Sequence, residues 1–400
     1  MENIDLHTID KKYYLPTFNR IPITFLKGSG SRLWDIENKE YIDMLAGIAV
    51  TNVGHCHPKV VKSIQDQAAE LMHISNFFVS PMQVALSELL VKISKLDRVF
   101  FTNSGAESVE GAIKIARRYA HSIGRGGKIV SMQNSFHGRT LATIATGQPK
   151  YQEGFAPIPQ GFVQVPFNDL DAIKAIVSEE IAGIIVEPIQ GEGGIRPANK
   201  EYLEGLRKIC DENNIALIFD EIQSGIGRTG NWFAKDHYGV QPDILTSAKG
   251  LGGGMPIGAF LCNEKIANAI QFGDHGTTFG GNPLAAAASM ATLSAIVEEN
   301  LTQAAKEKGD WLMKRLNELK EKFPVIKEVR GLGLMIGVEL TEPALPYMQQ
   351  LLKEGVVANA TAVNVLRLVP ALNISKTELN SFLKALEKVL KMKEGEKNGK

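Results

Sequence analysis

The sequence predicts an α/β fold in which a large, mostly parallel sheet is joined to a smaller α+β unit. Three observations lead there. Across residues 99–262, short apolar, β-branched runs alternate with amphipathic helical segments or crossing loops, the pattern of parallel strands joined by crossovers. Two of these runs, 215–219 and 244–246, are short, apolar and β-branched, as strands covered on both faces are. Each leads to an ionisable residue, Asp220 closing the first and Lys249 just beyond the second. The carboxyl ends of strands in an open parallel sheet face the ligand crevice, so an acid and an amine are sent to one place.

Composition narrows the function classes. Four hundred residues exceed one ordinary domain, so two domains or one enlarged α/β domain are expected. Lysine plus arginine equal aspartate plus glutamate at 44 each, and no basic stripe stands out, which argues against nucleic acid or an anionic membrane as partner. Three cysteines, none in a C-x-x-C pair, argue for a reducing compartment rather than a disulfide scaffold. The start, MENIDLHTIDKKYY, lacks the basic and apolar regions of a signal peptide, and no uninterrupted apolar run would cross a bilayer. A cytoplasmic protein is expected.

The chain opens with an arm to about residue 52, in which RLWDIENKEYIDM predicts a small hairpin with Asn38 in its turn. His55, Cys56 and His57 are consecutive, and consecutive side chains do not readily converge on one ion, so packing or a turn is their expected role. Two helices follow. Pro58 opens PKVVKSIQDQAAELMH; Ser80 caps PMQVALSELLVKISK, with Pro81 as its first residue. Val84, Leu86, Leu89, Leu90 and Ile93 are expected to form the buried face of the second helix.

In RVFFTNSGAESVEGAIKIARRYA, a strand at 99–102 turns through Asn103, Ser104 and Gly105 into a helix with Val109, Ile113, Ala116 and Ala120 as its inner stripe. Ser104 and Glu107 fit an S-x-x-E capping box, which accounts for these letters without any ligand. The same turn also presents free backbone N–H groups at the crevice, a seat suited to phosphate. The next strand, 128–132, ends in a turn carrying Phe136, His137 and Arg139. Phe136 suits one face of a bound ring, and Arg139 suits a carboxylate held by a two-point fork; core packing and a solvated surface are the ordinary alternatives. A further strand–helix unit, IAGIIVEPIQGEGGIRP then KEYLEGLRKICDEN, buries Leu203, Leu206 and Cys210 and sets Glu187 and Glu192 around a glycine turn.

The pair Asp220 and Lys249 has a specific chemical use. A lysine amine of lowered pKa condenses with an aldehyde to a Schiff base. Where the aldehyde is pyridoxal phosphate, an aspartate opposite the pyridine nitrogen keeps it protonated and makes the ring an electron sink. A turn-capping aspartate and a solvated lysine are the alternatives. Closure of one strand by Asp-Glu and of the next by Ala-Lys-Gly favours the cofactor, as does the run GLGGGMPIG, which lets backbone pass close to a bulky group.

Beyond it, Thr277 and Thr278 precede a Gly-Gly-Asn-Pro turn and an alanine-rich, close-packing helix. Near residue 300 the chain becomes a charged amphipathic helix, TQAAKEKGDWLMKRLNELKEKF. Short strands follow in VIKEVRG, LMIGVEL, VVANA and NVLRLVP, then a final helix over 376–392 and a frayed tail, KEGEKNGK. The expected division is 1–60 for the arm and part of the small domain, 61–297 for the large cofactor-binding domain, and 298–400 for the C-terminal small domain.

The motifs GHCHP, FFTNSGAES, SFHGRT, VEPIQGEGG, DEIQSGIGRTG, SAKGLGGGMPIGA, HGTTFGGNP and LRLVP, in this order and over nearly the whole chain, resemble the class III pyridoxal-phosphate aminotransferases. The resemblance implies an aspartate aminotransferase-like, PLP-dependent fold, pyridoxal 5′-phosphate as cofactor, and a homodimer with active sites at the subunit interface. It implies that Lys249 carries the imine and later shuttles a proton, and that Asp220 pairs with the pyridine nitrogen. Gln223 contacts the phenolic oxygen, Phe136 stacks on the ring, and Ser104, Gly105 and Ala106 hold the phosphate, with Glu221 and Ile222 also in the cofactor site. Thr278 is implied to reach the same phosphate from the neighbouring subunit, with Thr277 beside it on the substrate side. By the same resemblance, Arg139 binds the α-carboxylate of an acylated ornithine or the distal carboxylate of glutamate. Arg367 binds the α-carboxylate of glutamate and 2-oxoglutarate; Glu192 pairs with Arg367 during the half-reaction on the terminal amine and then swings away. Acyl-ornithine enzymes are the most similar within the family, with ornithine, 4-aminobutyrate and mutase members as alternatives. The implied reaction moves the terminal amine of the donor to 2-oxoglutarate, leaving a semialdehyde and glutamate.

A nicotinamide oxidoreductase has one foothold, since Gly225, Gly227 and Gly230 spell G-x-G-x-x-G after a strand. That motif needs its glycines to open a helix and an acidic strand end about twenty residues on. Here DEIQS intervenes, 231–242 is cramped for a helix plus turn, and the pair Gly331 and Gly333 fits less well still. A non-catalytic binding protein on this scaffold would be expected to lose Lys249, which is present.

Overall fold

The computed structural model describes residues 5–398; the first four residues of the arm and the last two of the tail lie outside the described residues. After a short helix over Leu6–Tyr13, the chain forms β1 (Phe25–Ser29), β2 (Arg32–Asp35) and β3 (Glu40–Asp43), an antiparallel meander with Asn38 at φ 63° in its second turn. The central strands are β4 (Arg98–Thr102), β5 (Lys128–Met132), β6 (Phe162–Val165) and β7 (Ile181–Val186), then the short pair β8 (Ile189–Gln190) and β9 (Arg196–Pro197). After them come β10 (Ala216–Asp220), β11 (Ile244–Ser247) and β12 (Gly258–Cys262). The C-terminal strands are β13 (Ile326–Leu332), β14 (Met335–Leu340), β15 (Val356–Val357), β16 (Asn359–Thr361) and β17 (Val365–Leu368).

A seven-stranded sheet in the order β4-β12-β11-β10-β7-β5-β6 occupies the centre, mostly parallel as expected. Strand β12 runs antiparallel to both neighbours. Only the Lys249–Gly252 turn and a short loop separate it from β11, less than the dozen or so residues that a parallel crossover needs. Strands β7, β10 and β11 are buried at every residue, because helices cover both faces. The Gly105–Ser122 helix buries Val109, Ile113, Ala116 and Ala120 against Ala216, Ile218 and Ile244. On the other face, Leu203, Leu206 and Cys210 of the Lys200–Asn213 helix meet Leu217 and Phe219, the alternate residues of β10.

Several local expectations change. The Pro81–Ser94 helix starts at its proline, but the Ser80 hydroxyl makes no cap bond and is left buried without a partner. Its inner face is Leu86 and Leu90, whereas Val84 is 51% exposed; two residues from Leu86, it falls on the opposite side of the helix. The last helix runs Lys376–Asn398, taking in most of the tail expected to fray, with Lys393 paired to Glu396 at 2.8 Å one turn on. His55 bonds Asp43 at 2.7 Å and His57 bonds Glu299 at 2.8 Å, so each histidine ties the Gly-His-Cys-His turn to another element.

Strands β13-β14-β17-β16 make an antiparallel sheet, while β15 pairs parallel with β3, so the two ends of the chain share a sheet. The Leu301–Lys322 helix packs Leu312 and Leu316 into the same apolar cluster as Ile336, Val338, Leu366 and Phe382. Its Gly309 lies on the β13–β14 turn, where an added Cβ would stand 2.2 Å from the Gly333 carbonyl oxygen. Gly309→Ala therefore sets a helix-propensity gain of about 1 kcal/mol against a backbone clash. Overpacking of this kind costs about 1–3 kcal/mol, and the clash is with rigid backbone, so the variant should lose stability; equilibrium urea unfolding reads the difference.

Candidate active site

Loops at the carboxyl ends of the central strands enclose a cavity of about 330 Å³, within the range of small-ligand sites. Ser104, Gly105, Ala106, Phe136, Asp220, Ile222, Gln223 and Lys249 all line it. They come from four separate strand ends, after β4, β5, β10 and β11.

Lys249 follows β11 and begins a tight turn with φ 43°, an uncommon conformation for a residue with a side chain. Its amine has no hydrogen bond or ion pair among the described residues. Burial is the largest influence on its pKa and pulls it down. Glu192 pushes it back up and Arg367 reinforces the fall; the net result lies below the ordinary lysine value. A lowered pKa enlarges the share of neutral amine, the form that condenses with a carbonyl.

Asp220 closes β10 with its carboxylate fully engaged on the protein side. Oδ1 accepts from Ile222 N and Thr246 Oγ1, each at 3.1 Å, and Oδ2 meets His137 Nδ1 at 2.7 Å. Burial works against a charged His137, but the hydrogen bond and charge of Asp220 prevail and hold its pKa above the usual histidine value. The result is a buried carboxyl group fixed by three donors at the edge of the cavity. Beneath it, Glu187 accepts from Phe136 N at 2.9 Å and Gly191 N at 3.0 Å, and burial pushes its pKa up to about 7. Glu187 thereby fastens the aromatic wall of the cavity to the Gly191 turn.

At the rim, Arg367 of β17 is almost wholly buried and its Nη1 donates to the Glu192 carboxylate. Nη2 donates to Asn359 Oδ1 at 2.7 Å, and Nη1 also reaches Gln223 Oε1 at 3.4 Å, which joins this pair to the cavity. Burial acts to raise the pKa of Glu192, and the charge and hydrogen bond of Arg367 outweigh it, so the carboxyl stays below its ordinary range. An arginine held in this way is masked from other carboxylates until Glu192 moves.

Four expected site residues lie elsewhere. Glu221 turns away from the cavity: its carboxylate accepts from Ala234 N, Lys235 N and Ser224 Oγ at 2.5, 2.8 and 3.0 Å, which consumes it in folding the turn after β10. Arg139 is exposed outside the cavity lining, its guanidinium 3.9 Å from the Tyr151 ring centroid and 5.5 Å from that of Phe136. Thr277 touches the cavity only through Asn103 Nδ2, at 3.4 Å. Thr278 is exposed and lines a separate groove with His73 and Asn76. The glycines at 225, 227 and 230 bend in successive turns and open no helix; the helix that follows, Lys235–Tyr238, is a single turn.

His137 and Tyr151 had no assigned role in the sequence. His137 sits in the same turn as Phe136, and a second polar ring beside an aromatic at a strand end was the available signal. Tyr151, which meets Phe136 edge-on at 5.6 Å, lies in a short helical turn with no motif around it.

The residues present fit a phosphorylated pyridine aldehyde: a helix start for the phosphate, a carboxyl group for a ring nitrogen, an aromatic wall and an unpaired amine. These features suit an enzyme that uses a carbonyl cofactor. The aminotransferase class-III family model matches residues 13–390, and the chain belongs to that family of pyridoxal-phosphate-dependent transaminases. It is 52% identical over 384 residues to the acetylornithine aminotransferase of Methanocaldococcus jannaschii, covering 95% of this chain and 96% of the relative. It is 44% identical over 389 residues to the succinylornithine transaminase of Citrobacter koseri, covering 94% and 96%. A crystal structure of Toxoplasma gondii ornithine aminotransferase, with pyridoxal phosphate at partial occupancy in its active site, superposes with a TM-score of 0.94 at 33% identity, covering 98% of this chain and 95% of that one.

Two measurements check the site. Lys249→Ala should fold as the parent does, with an unchanged cooperative melt, and lose turnover by at least about a thousandfold. The second concerns Glu221, whose carboxyl burial pushes up to about 7 from an unfolded value of 4.5. Between those values the folded chain binds a proton that the unfolded chain has released, so stability falls as pH rises across the window. The contribution is about 3 kcal/mol, and Glu221→Gln should flatten the slope of unfolding free energy over that range.

Proposed function

We propose that this chain is an acetylornithine aminotransferase, moving the terminal amine of N2-acetyl-L-ornithine to 2-oxoglutarate and giving N-acetylglutamate 5-semialdehyde and glutamate, a step of arginine biosynthesis. The observation that carries the reading is the Glu192–Arg367 pair at the rim of a cavity floored by an unpaired lysine. The two substrates differ in where their carboxylates stand relative to the reacting amine, and an arginine that can be masked or open serves both.

Pyridoxal phosphate, when bound, supplies the aldehyde that takes up the amine and the sink for the electron pair left when a proton departs. Ser104, Gly105 and Ala106 would hold its phosphate, Asp220 its pyridine nitrogen, Gln223 its phenolic oxygen and Phe136 one ring face, with Ile222 packed alongside. His137 holds the Asp220 carboxyl in place. Lys249 Nζ accepts the proton from the amine-bearing carbon of the donor and later returns it. With Glu192 on Arg367, the donor enters by its terminal amine, and Arg139 on its Tyr151 platform takes the donor carboxylate. With Glu192 withdrawn, Arg367 takes the α-carboxylate of 2-oxoglutarate.

The enzyme works, in this reading, as a cytoplasmic homodimer. Thr278, exposed and outside its own cavity, reaches the phosphate seat of a second copy, with Thr277 beside it at that substrate entrance. Its neighbours Phe279, Phe77 and Phe78 are 60%, 93% and 62% exposed, an apolar surface that a second copy would cover. No helix among the described residues is long and apolar enough to cross a membrane. The large unit spans 61–297, and the segments 1–60 and 298–400 complete the smaller one.

The family also contains succinylornithine, ornithine and 4-aminobutyrate enzymes, so the donor is the quantity to measure. Steady-state comparison of N-acetylornithine, N-succinylornithine, ornithine and 4-aminobutyrate, each with 2-oxoglutarate, should give the highest kcat/KM for N-acetylornithine. A higher value for any of the other three reassigns the donor.

A further inference from the structure

Arg330, Gly337 and Arg367 stand in one row across three strands: Arg330 on β13 is in register with Gly337 on β14, and Gly337 with Arg367 on β17. The loop that carries Glu192 crosses this row at the glycine. A Cβ at Gly337 would lie 2.9 Å from Ile195 Cβ and 3.2 Å from Gly194 O, so a residue without one lets the loop lie down there.

Two buried arginines then hold the loop from either side of the glycine. Arg367 takes the Glu192 carboxylate. Arg330 takes the backbone: Nε donates to Ile195 O at 2.9 Å and Gly194 O at 3.1 Å, and Nη2 donates to Gly194 O at 2.6 Å. Arg330 is itself seated by Nη1 contacts to Glu339 and Glu328, both 2.6 Å. Buried Glu339 also receives Arg196, just past the loop, at 3.1 Å and Lys327 at 2.7 Å. Between these anchors Ile195 sits at φ 51°, a strained conformation for a β-branched residue, which persists only where its surroundings impose it.

We propose that Arg330, seated by Glu339, is the positioning residue that keeps the Glu192 loop down on Arg367 and so sets how often Arg367 is open to a substrate carboxylate. This rests on the two-substrate reading above and deepens it. Arg367 has supports of its own in Asn359 and Gln223, so loosening the loop frees the arginine from its mask without displacing it. The apparent dissociation constant for a ligand of a partly open site scales inversely with the open fraction. A looser loop therefore tightens dicarboxylate binding and weakens productive entry of the donor by its terminal amine.

The test uses holoenzyme carrying Arg330→Gln, Arg330→Lys or Glu339→Gln, with glutarate, a five-carbon dicarboxylate that cannot react, as the calorimetric probe. Arg330→Gln should bind glutarate at least about threefold more tightly than the parent. Its KM for 2-oxoglutarate should fall in parallel while that for N-acetylornithine rises. Arg330→Lys should lie between parent and Arg330→Gln, because an ammonium cannot fork across two carbonyls as a guanidinium does. Glu339→Gln, which leaves Arg330 in place, should shift in the same direction and carries the test if Arg330→Gln does not fold. An unchanged glutarate affinity in the folded variants, with both substrates losing kcat together, would overturn the proposal and leave Arg330 as simple scaffold. A parent enzyme that binds glutarate but turns over neither N-acetylornithine nor 2-oxoglutarate contradicts the functional reading instead, since the glutarate comparison needs no turnover.

Discussion

An amine can wait unpaired inside a protein only if its charged form is made costly and its place is held by groups other than itself. Lys249 meets both conditions. Its backbone is fixed by the end of β11, burial disfavours its charge, and the carboxylates of Asp220, Glu187 and Glu192 are committed to His137, to backbone N–H groups and to Arg367. An acid paired directly with Lys249 would favour its charged form, and Asp220 and Glu187 are held away from such a pairing by their own donors. Burial thus lowers the pKa of the amine, and the hydrogen-bond arrangement around the acids leaves it unpaired.

The same arrangement links the two sheets. The central sheet delivers Asp220 and Lys249 from adjacent parallel strands, in register at Asp220 and Thr246. The C-terminal sheet delivers Arg367 and, through Arg330, holds the loop bearing Glu192. Glu187 and Gln223 sit where the two contributions meet. In the proposed function, a substrate carboxylate is read by one sheet while the reacting amine is handled by the other, so carboxylate recognition can switch without disturbing the reaction centre.

Much of this was legible in the sequence because strand ends are legible. An apolar run that stops at Asp220, and another followed by Lys249, place both residues at the same edge of a parallel sheet without any knowledge of contacts. The helix stripe at Val109, Ile113, Ala116 and Ala120 reads from spacing in the same way. What failed was what depends on direction or distance along the chain. Glu221 follows Asp220 directly and so points to the other side, where it ties down Ala234 and Lys235. His137 finds its role only through Asp220, more than eighty residues on in the chain. Val84 looked like one of a row of apolar letters, but the row turns with the helix. The Arg330–Gly337–Arg367 row needs strand register, which no local pattern encodes.

The claim on which the rest depends is that Lys249, and no other lysine, forms the covalent link to the cofactor. Reduction of the native holoenzyme with borohydride, followed by proteolysis and peptide mass mapping, tests it directly. The expected result is a single phosphopyridoxyl-modified peptide carrying the label at Lys249, with loss of visible absorbance in proportion. A label at another lysine, or a protein that takes up no cofactor and carries no label, would contradict the account.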